Sequence, residues 1–202
     1  MKTATRLDYT PAEAPRRKAR KYSSEERQCW KTPNTPAQPV LQLVARALGG
    51  EIGLDPTADA ALSVPAHWHI TAEQDCLKTR WLIPDDAPKT VFMNPPFDAP
   101  HLYLGALANA NRRYSYGNVL EAIALLKTGT LHNQKSGAII KASASAICHW
   151  GAGKVGRMGF IDCDGYQVAG ADFDTVLVYF GPNVEQFTSV FQDWGLVTEV
   201  VR

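Results

Sequence analysis

The sequence contains little that would place the protein in a membrane or in an oxidising compartment. No apolar run approaches the roughly 18 residues that a membrane span needs. The N-terminus, Met1-Lys2-Thr3-Ala4, lacks the apolar stretch of a signal peptide. The four cysteines are scattered and include no C-x-x-C pair. We therefore predict no membrane contact, free thiols and a cytoplasmic location.

Motifs for several common enzyme chemistries are also absent. There is no G-x-x-x-x-G-K-[ST] phosphate loop and no G-x-S-x-G nucleophile elbow, which argues against P-loop NTPases and α/β-hydrolases. The cysteine and histidine spacing does not match that of zinc sites, so no metal is predicted.

One glycine-rich segment, residues 151–156, does satisfy G-x-G-x-x-G. It lies late in the chain, without the βαβ unit that a dinucleotide fingerprint needs. We interpret it as a mobile loop through which Lys154 and Arg157 approach nucleic acid.

The composition is that of a single folded domain with one unusual end. Of the 202 residues, 45% are hydrophobic and 20% charged, as in a globular protein of ordinary size. Residues 1–30 carry eight Lys or Arg and only four Asp or Glu, and they lack apolar periodicity. We interpret residues 1–28 as a flexible basic arm and residues 29–202 as one domain. Such an arm favours contact with phosphate backbones.

Helical and extended patterns alternate along the domain and predict an α/β fold. Helices are predicted over 40–48, before Gly49 and Gly50, and over 103–110. Strands are predicted at 51–55, 90–93, 137–141, 160–161 and 175–180, while 119–126 fits a helix or a helix running into a strand. The expected sheet is twisted and mostly parallel, with helices on both faces. Its last two strands form an antiparallel hairpin around Asp164-Gly165.

The tetrapeptide Asn94-Pro95-Pro96-Phe97, called the NPPF turn below, directly follows the apolar run Val91-Phe92-Met93. Two prolines donate no backbone hydrogen bond and hold φ near −65°, so the strand must end there. The asparagine oxygen and a proline carbonyl can accept hydrogen bonds from an NH₂ group, and the Phe ring offers a stacking face. The turn suits a planar group with an exocyclic amine. Taken alone, it is equally consistent with an ordinary proline-rich turn.

Asp55-Pro56 and the NPPF turn both follow predicted strands. In an open α/β sheet, ligands bind beyond the carboxyl ends of the strands. The two segments are therefore expected to lie side by side and to form two parts of one site.

Six segments along the chain each match a short sequence motif. In order, with the motif of each in parentheses, they are Trp30-Lys31-Thr32-Pro33 (W-x-T-P), Leu54-Asp55-Pro56-Thr57-Ala58 (L-D-P-A-A), Asp75-Cys76-Leu77 followed by Trp81 (D-x-L…W), the NPPF turn (N-P-P-Y/F), Gly156-Arg157-Met158-Gly159-Phe160 (G-R-x-x-F) and residues 175–181 (a closing strand). In order and approximate spacing, these segments resemble those of phage-type DNA N-6-adenine methyltransferases.

The resemblance implies a Rossmann-like methyltransferase fold that binds S-adenosylmethionine. It places Thr32 and Pro33 at the methionine end of the cofactor, Asp55 at its amino group or the adjoining loop, and Asp75 at its adenine amine. The full set of implied cofactor residues is Trp30, Thr32, Pro33, Asp55, Pro56, Ala58, Asp75, Cys76 and Asn94. The sequence departs from many methyltransferases because residues 54–60 contain no glycine-rich turn.

The implied activity is methyl transfer to the N6 amine of adenine in double-stranded DNA, on a base extruded from the duplex. The implied catalytic residues are Asn94, Pro95, Pro96 and Phe97. Further DNA contacts are expected from Lys154, Arg157, Arg112 and Arg113. If the protein is phage-encoded, it is expected in the host cytoplasm.

Two alternatives stay open. N-P-P-F/Y turns also serve enzymes that methylate adenine N6 or guanine N2 in RNA, or glutamine in proteins. The chain also fits a non-catalytic nucleic-acid-binding module that uses the basic arm and the cluster at residues 112–114. The sequence determines neither the oligomeric state nor a recognised base sequence.

Overall fold

The strand that precedes the NPPF turn is buried at all four positions, as expected of a strand covered on both faces. It lies in the middle of a seven-stranded sheet in a computed structural model. The model describes residues 7–18, 23, 26–27, 29–112 (without the side chain of Arg112), 116–153 and 155–201.

The described residues form eleven strands and four helices of eight residues or more. The strands are β1 (Arg16–Arg17), β2 (Asn34–Thr35), β3 (Gln38–Pro39), β4 (Ile52–Ala58), β5 (Ala66–Thr71), β6 (Thr90–Met93), β7 (Glu121–Lys127), β8 (Ala146–Trp150), β9 (Gln167–Val168), β10 (Thr175–Phe180) and β11 (Gly195–Glu199). The helices are α1 (Val40–Ala47), α2 (Pro100–Arg112), α3 (Gln134–Ser143) and α4 (Val184–Phe191), and a 3-10 turn covers Thr128–His132.

The sheet has the order β11-β8-β10-β7-β6-β4-β5. The pairs β4–β5, β4–β6 and β6–β7 are parallel, whereas β10 is antiparallel to both β7 and β8, and β11 is antiparallel to β8. The α/β class is therefore confirmed, and the sheet, which was expected to be mostly parallel, is mixed, since three of these six pairings are antiparallel.

Alternate residues of the central strands pack into two hydrophobic clusters on opposite faces of the sheet. Phe92 and Ile123 join one cluster together with α1 and α4. Val91 and Met93 join the other, together with α2 and α3. The prediction of helices on both faces is confirmed by this arrangement, and both faces are screened from water by apolar packing.

The predicted helix over 40–48 is confirmed as α1. The two glycines that follow it explain why the helix ends there. Gly49 and Gly50 have φ values of 85° and 120°, and the Gly50 N–H donates to the Ala45 carbonyl at 2.7 Å. A glycine in the left-handed region is a common way for a helix to end. The predicted strand at 90–93 and the helix over 103–110 are also confirmed, the latter within α2.

The predicted strand at 137–141 is wrong, because this segment belongs to α3. Asn133 caps that helix by accepting hydrogen bonds from the N–H groups of Lys135 and Ser136 at 3.1 and 3.2 Å. An amide at this position satisfies donors that a helix leaves unpaired. The ambiguous segment 119–126 is mostly strand β7.

The predicted C-terminal hairpin is also wrong. Ile161 forms only isolated bridges, with Lys31 and with Gln167, while β10 pairs with β7 and β8. The strand predicted to end before Pro56 continues to Ala58, with a register irregularity after Asp55, because a bulge tolerates the proline. The local sequence pattern does not predict the two-residue strands β1, β2, β3 and β9, the strands β5, β8 and β11, or helix α4.

The prediction of free thiols is wrong for two of the four cysteines. Cys29 and Cys163 form a disulfide, whereas Cys76 and Cys148 are free and buried. The bonded cysteines flank the antiparallel bridge between Lys31 and Ile161. Since they lie 134 residues apart in the sequence, their spacing gave no indication of the pairing.

Part of the predicted basic arm contacts the domain. β1 pairs in parallel with β9, and the guanidinium of Arg17 lies 3.2 Å from Asp162 and 3.1 Å from Asp164. The Tyr9 hydroxyl accepts a hydrogen bond from the Ile52 N–H at 2.8 Å. Residues 1–6, 19–22, 24–25 and 28 of the arm lie outside the described residues. Over the residues described, no helix combines the length and apolar character that crossing a membrane requires.

Candidate active site

A cavity of about 540 Å³ opens at the carboxyl edge of the parallel strands. This is the edge at which open α/β sheets bind ligands. Most of the residues predicted for the site line it, namely Trp30, Thr32, Asp55, Pro56, Ala58, Asp75, Cys76, Asn94, Pro95, Pro96 and Phe97. Pro33 and Arg157 do not line it.

Thr57 joins the two halves of the site. Its N–H and hydroxyl donate to Asp55 Oδ1 at 2.9 and 3.2 Å. The same hydroxyl accepts a hydrogen bond of 3.1 Å from the Asn94 backbone N–H. The start of the NPPF turn is thereby fixed to the end of β4, as expected for segments that leave neighbouring strands at one edge.

Asp55 is an acidic side chain with only 3% of its surface exposed. Burial raises its pKa to about 6, although the Thr57 hydrogen bonds and the nearby His69 act in the opposite direction. A buried carboxylate in a cavity wall stabilises a cationic group that binds beside it, since the cation restores the interactions that burial removes.

Thr32 lines the same cavity and has a buried, unpaired polar atom. Its side chain is 7% exposed, and Oγ1 is buried without a hydrogen-bond partner among the described residues. The segment is held in place by paired backbone hydrogen bonds of 2.9 and 3.0 Å between Lys31 and Ile161. The neighbouring Trp30 ring stacks on Phe160 with centroids 5.3 Å apart. An unpaired buried hydroxyl is costly.

Asp75 and Cys76 form part of another wall. Asp75 has a φ of 53°. Its carboxylate accepts a hydrogen bond from the Leu77 N–H at 3.0 Å and pairs with the Lys78 ammonium at 2.8 Å. The contact with Lys78 has the largest effect, and together with the Leu77 hydrogen bond it holds the pKa of Asp75 below its usual range. Burial raises the pKa of Cys76 to about 11, so it stays a thiol. Tyr103, on α2, lines the cavity as well.

The NPPF turn presents an amide and a ring to the cavity. The Asn94 side-chain amide has no hydrogen-bond partner in the part of the chain that the structure describes. The Phe97 ring lies 5.3 Å from Phe173 and 6.2 Å from Phe160, in edge-to-face arrangements. The Lys127 ammonium lies 4.8 Å from the Phe97 centroid and 4.6 Å from that of Phe173.

Of the residues predicted to contact DNA, Arg157 alone has a described side chain. It is exposed, and its Nε donates to Asp174 Oδ1 at 2.8 Å. Lys154 and Arg113 lie outside the described residues, as does the side chain of Arg112.

Sequence reasoning missed four residues that the structure places at the site: Thr57, Tyr103, Lys127 and Phe173. Thr57 stood inside the segment quoted for Asp55, but its hydroxyl was not given a role. Lys127 ends a segment whose helix or strand character the apolar pattern left open. Phe173 reaches the site through the pairing of β10 with β7, for which the local sequence carries no signal.

Among the described residues, no three His, Cys, Asp or Glu side chains are grouped as a metal site requires. Comparisons of the chain with protein-family models, with curated proteins and with solved structures found no match. The fold and the geometry of the cavity are therefore the grounds on which a function can be argued.

Proposed function

We propose that this protein transfers a methyl group from S-adenosylmethionine to the N6 amine of adenine in double-stranded DNA. The observation that carries the proposal is the linkage of Asp55, through Thr57, to Asn94 at the edge of one cavity. It brings a carboxylate suited to a cationic cofactor next to an amide suited to an amine. A sheet with neighbouring parallel strands and an antiparallel strand beside them is in keeping with a Rossmann-like methyltransferase fold.

The cavity fits the cofactor in size and in chemistry. Its volume of about 540 Å³ lies within the usual range for small-molecule sites. The buried Asp55 carboxylate suits the polar methionine end, which carries an amino group, and Thr32 lines the same cavity. Asp75 and Cys76 would hold the adenine end. When bound, S-adenosylmethionine supplies a methyl group whose transfer forms an N–C bond, breaks an S–C bond and releases one amine proton.

Asn94 orients and activates the amine. The N6 lone pair of adenine is delocalised into the ring, which makes the amine a poor nucleophile. Hydrogen bonds from the amine to the Asn94 side-chain oxygen and the Pro95 carbonyl localise the lone pair on nitrogen. Because Thr57 fixes the Asn94 backbone, these acceptors are held in place before the base arrives, and preorganisation of this kind is a main source of catalysis.

Phe97 provides the stacking face for the target base. The amine of a paired adenine is out of reach inside a duplex, so the nucleotide must be extruded. Stacking on an aromatic side chain then replaces part of the stacking lost from the duplex.

The test is transfer of radiolabelled methyl from the cofactor to three acceptors: unmethylated plasmid DNA, ribosomal RNA and a protein lysate. We expect label in the DNA, converted to N6-methyladenine. Asn94→Ala should abolish transfer while leaving the rise in melting temperature that S-adenosylmethionine produces. Gln192→Ala, at an exposed position outside the cavity, is the matched control and should behave as the unaltered protein.

The outcomes separate the alternatives. Label in RNA or protein, instead of DNA, contradicts the substrate. Salt-sensitive DNA binding without thermal stabilisation by the cofactor supports a non-catalytic binding module. Full activity of Asn94→Ala contradicts the role of the NPPF turn.

A further inference from the structure

Lys127 lies beside the NPPF turn because of how the strands pair. Met93, the last residue of β6, is opposite Ala124 of β7 in a parallel register. Lys127 ends β7 at the same edge of the sheet and is paired with Thr175 of β10. The Thr128 N–H donates to the Asp174 carbonyl at 2.9 Å, which brings Phe173 to the same place.

The Lys127 ammonium is held by two aromatic rings. It lies 4.8 Å from the centroid of Phe97 and 4.6 Å from that of Phe173, and the two centroids are 5.3 Å apart. Cation–π attraction at such distances is favourable but modest. Lys127 also lines the cavity together with Asn94.

No carboxylate pairs with Lys127 among the described residues. Asp172, which is close enough to influence it, forms an ion pair of 2.5 Å with Arg27. Burial, followed by the nearby positive charge of Arg27, lowers the pKa of Lys127, whereas Asp98 and Asp172 oppose the shift. A half-buried ammonium without an anionic partner is poorly compensated for lost hydration. Its donors are thus available to a ligand in the cavity.

We propose that Lys127 positions the target nucleobase by donating a hydrogen bond to a ring nitrogen next to the exocyclic amine. The amine itself donates to the Asn94 side-chain oxygen. This inference rests on the proposed function. Lys127, Asn94 and Phe97 line one cavity, so a base whose amine is bound by Asn94 lies in the cavity that the Lys127 side chain also borders. The substrate class that fits is a heteroaromatic amine with an adjacent ring acceptor, such as adenine with N1 and N7, because a glutamine side chain has no ring nitrogen to accept a hydrogen bond from the ammonium.

The position of the ammonium favours the base edge over a backbone phosphate. A lysine that neutralises a phosphate works from the exposed surface, whereas Lys127 is half-buried inside the cavity. A hydrogen bond from Lys127 to a ring nitrogen does not make the amine more nucleophilic, because it withdraws electron density from the ring. Lys127 should therefore contribute to the KM for DNA rather than to kcat.

The test compares Lys127→Met, which keeps the aliphatic stem, with Lys127→Arg, which keeps charge and donors. Transfer of labelled methyl to unmethylated plasmid DNA is measured at several salt concentrations. For Lys127→Met we expect the KM for DNA to rise about 10- to 100-fold, the value of one charge-assisted hydrogen bond. The melting temperature and its increase with S-adenosylmethionine should not change. Lys127→Arg should recover most of the loss, and Lys141→Met, on the exposed surface of α3, is the control for the substitution itself.

The salt dependence distinguishes base from phosphate. If Lys127 contacts the base, the slope of log KM against log salt is the same in Lys127→Met as in the unaltered protein. A slope smaller by about one indicates a phosphate contact and overturns the proposal, as does an unchanged KM in Lys127→Met or a loss of the cofactor effect. Absence of transfer by the unaltered protein to DNA overturns the proposed function, and the role of Lys127 with it.

Discussion

The backbone N–H of Asn94 donates a 3.1 Å hydrogen bond to the hydroxyl of Thr57, although the two residues lie 37 positions apart in the chain. The hydroxyl in turn donates a hydrogen bond to Asp55 Oδ1, so a single side chain sets the position of the NPPF turn and stabilises the ionised form of the buried acid. The two functions proposed for the site, cofactor binding and amine binding, would be coupled through this one hydroxyl.

Replacing Thr57 with Val removes the hydroxyl at nearly constant shape. The Asn94 N–H and the Asp55 carboxylate each lose a partner, so we expect the free energy of unfolding to fall by about 1–3 kcal/mol. The rate of methyl transfer should fall as well, since the NPPF turn is no longer fixed. Urea unfolding and single-turnover methyl transfer measure the two effects. Thr57→Ser retains the hydroxyl and serves as the control; equal losses in both variants would show that the hydroxyl is not the cause.

Strand β6 and the NPPF turn were predictable because their signals are local. A continuous apolar run needs burial on both faces, and two prolines end it whatever surrounds them. The neighbourhood of Asp55 and Asn94 followed from one further rule, that parallel strands end at one edge of the sheet. For these residues, local pattern and tertiary structure agree.

Other parts depend on contacts between distant segments. Residues 137–141 form a helix because Asn133 caps it and because Ile140 packs beside α2 residues such as Leu104; a short apolar run does not distinguish the two states. Strand β5 is an edge strand with Trp68 51% exposed, which weakens its apolar pattern. The meeting of Lys127 with Phe173 depends on the pairing of β7 with β10, which the sequence alone does not indicate.

The buried Asp55 should make the free energy of unfolding decrease as the pH rises, which is the opposite of the usual effect of an acidic side chain. In the unfolded chain it ionises near 3.8, and in the folded protein at about 6. Between these values the folded state holds more protons than the unfolded state, so the contribution of Asp55 to the free energy of unfolding falls as the pH rises and is constant above about 6. The total loss is on the order of 3 kcal/mol.

Asp55→Asn keeps the oxygen that accepts from Thr57 and removes the ionisation. We expect its free energy of unfolding to lack the decrease between about pH 4 and about pH 6 that the unaltered protein shows. Urea unfolding at several pH values measures the difference between the two proteins. Asp193→Asn, at an exposed position, is the control. The same pH profile in Asp55→Asn would contradict the assignment of the shift to Asp55.

Cofactor affinity should depend on the same ionisation in the opposite direction. If the Asp55 carboxylate binds the amino group of S-adenosylmethionine, only its ionised form does so. The Kd should therefore decrease as the pH rises through about 6. Calorimetric titration should show this change in the unaltered protein, and weaker binding without the step in Asp55→Asn. A step that persists in the variant would assign it to another group.

The ring of Phe97 should matter for the target base and little for the cofactor. Removal of an aromatic side chain that stacks on a base costs about 1–3 kcal/mol, so Phe97→Ala should raise the KM for DNA by roughly 5- to 150-fold. The stabilisation by S-adenosylmethionine should remain. Phe97→Tyr keeps the stacking face and should restore most of the affinity for DNA. Equal transfer kinetics in Phe97→Ala and the unaltered protein would place the base elsewhere.

The disulfide between Cys29 and Cys163 should support the cofactor cavity. It closes a loop of 134 residues, and Cys29 lines the cavity next to Trp30. Disulfides stabilise typically by about 2–4 kcal/mol, so dithiothreitol should lower the melting temperature and weaken binding of S-adenosylmethionine. The double variant Cys29→Ser, Cys163→Ser should match the reduced protein and show no response to dithiothreitol. If this variant still responds to dithiothreitol, the effect must come from Cys76 or Cys148. If reduction leaves binding intact, contacts other than the disulfide hold this segment in place, such as the Lys31–Ile161 backbone hydrogen bonds and the stacking of Trp30 on Phe160.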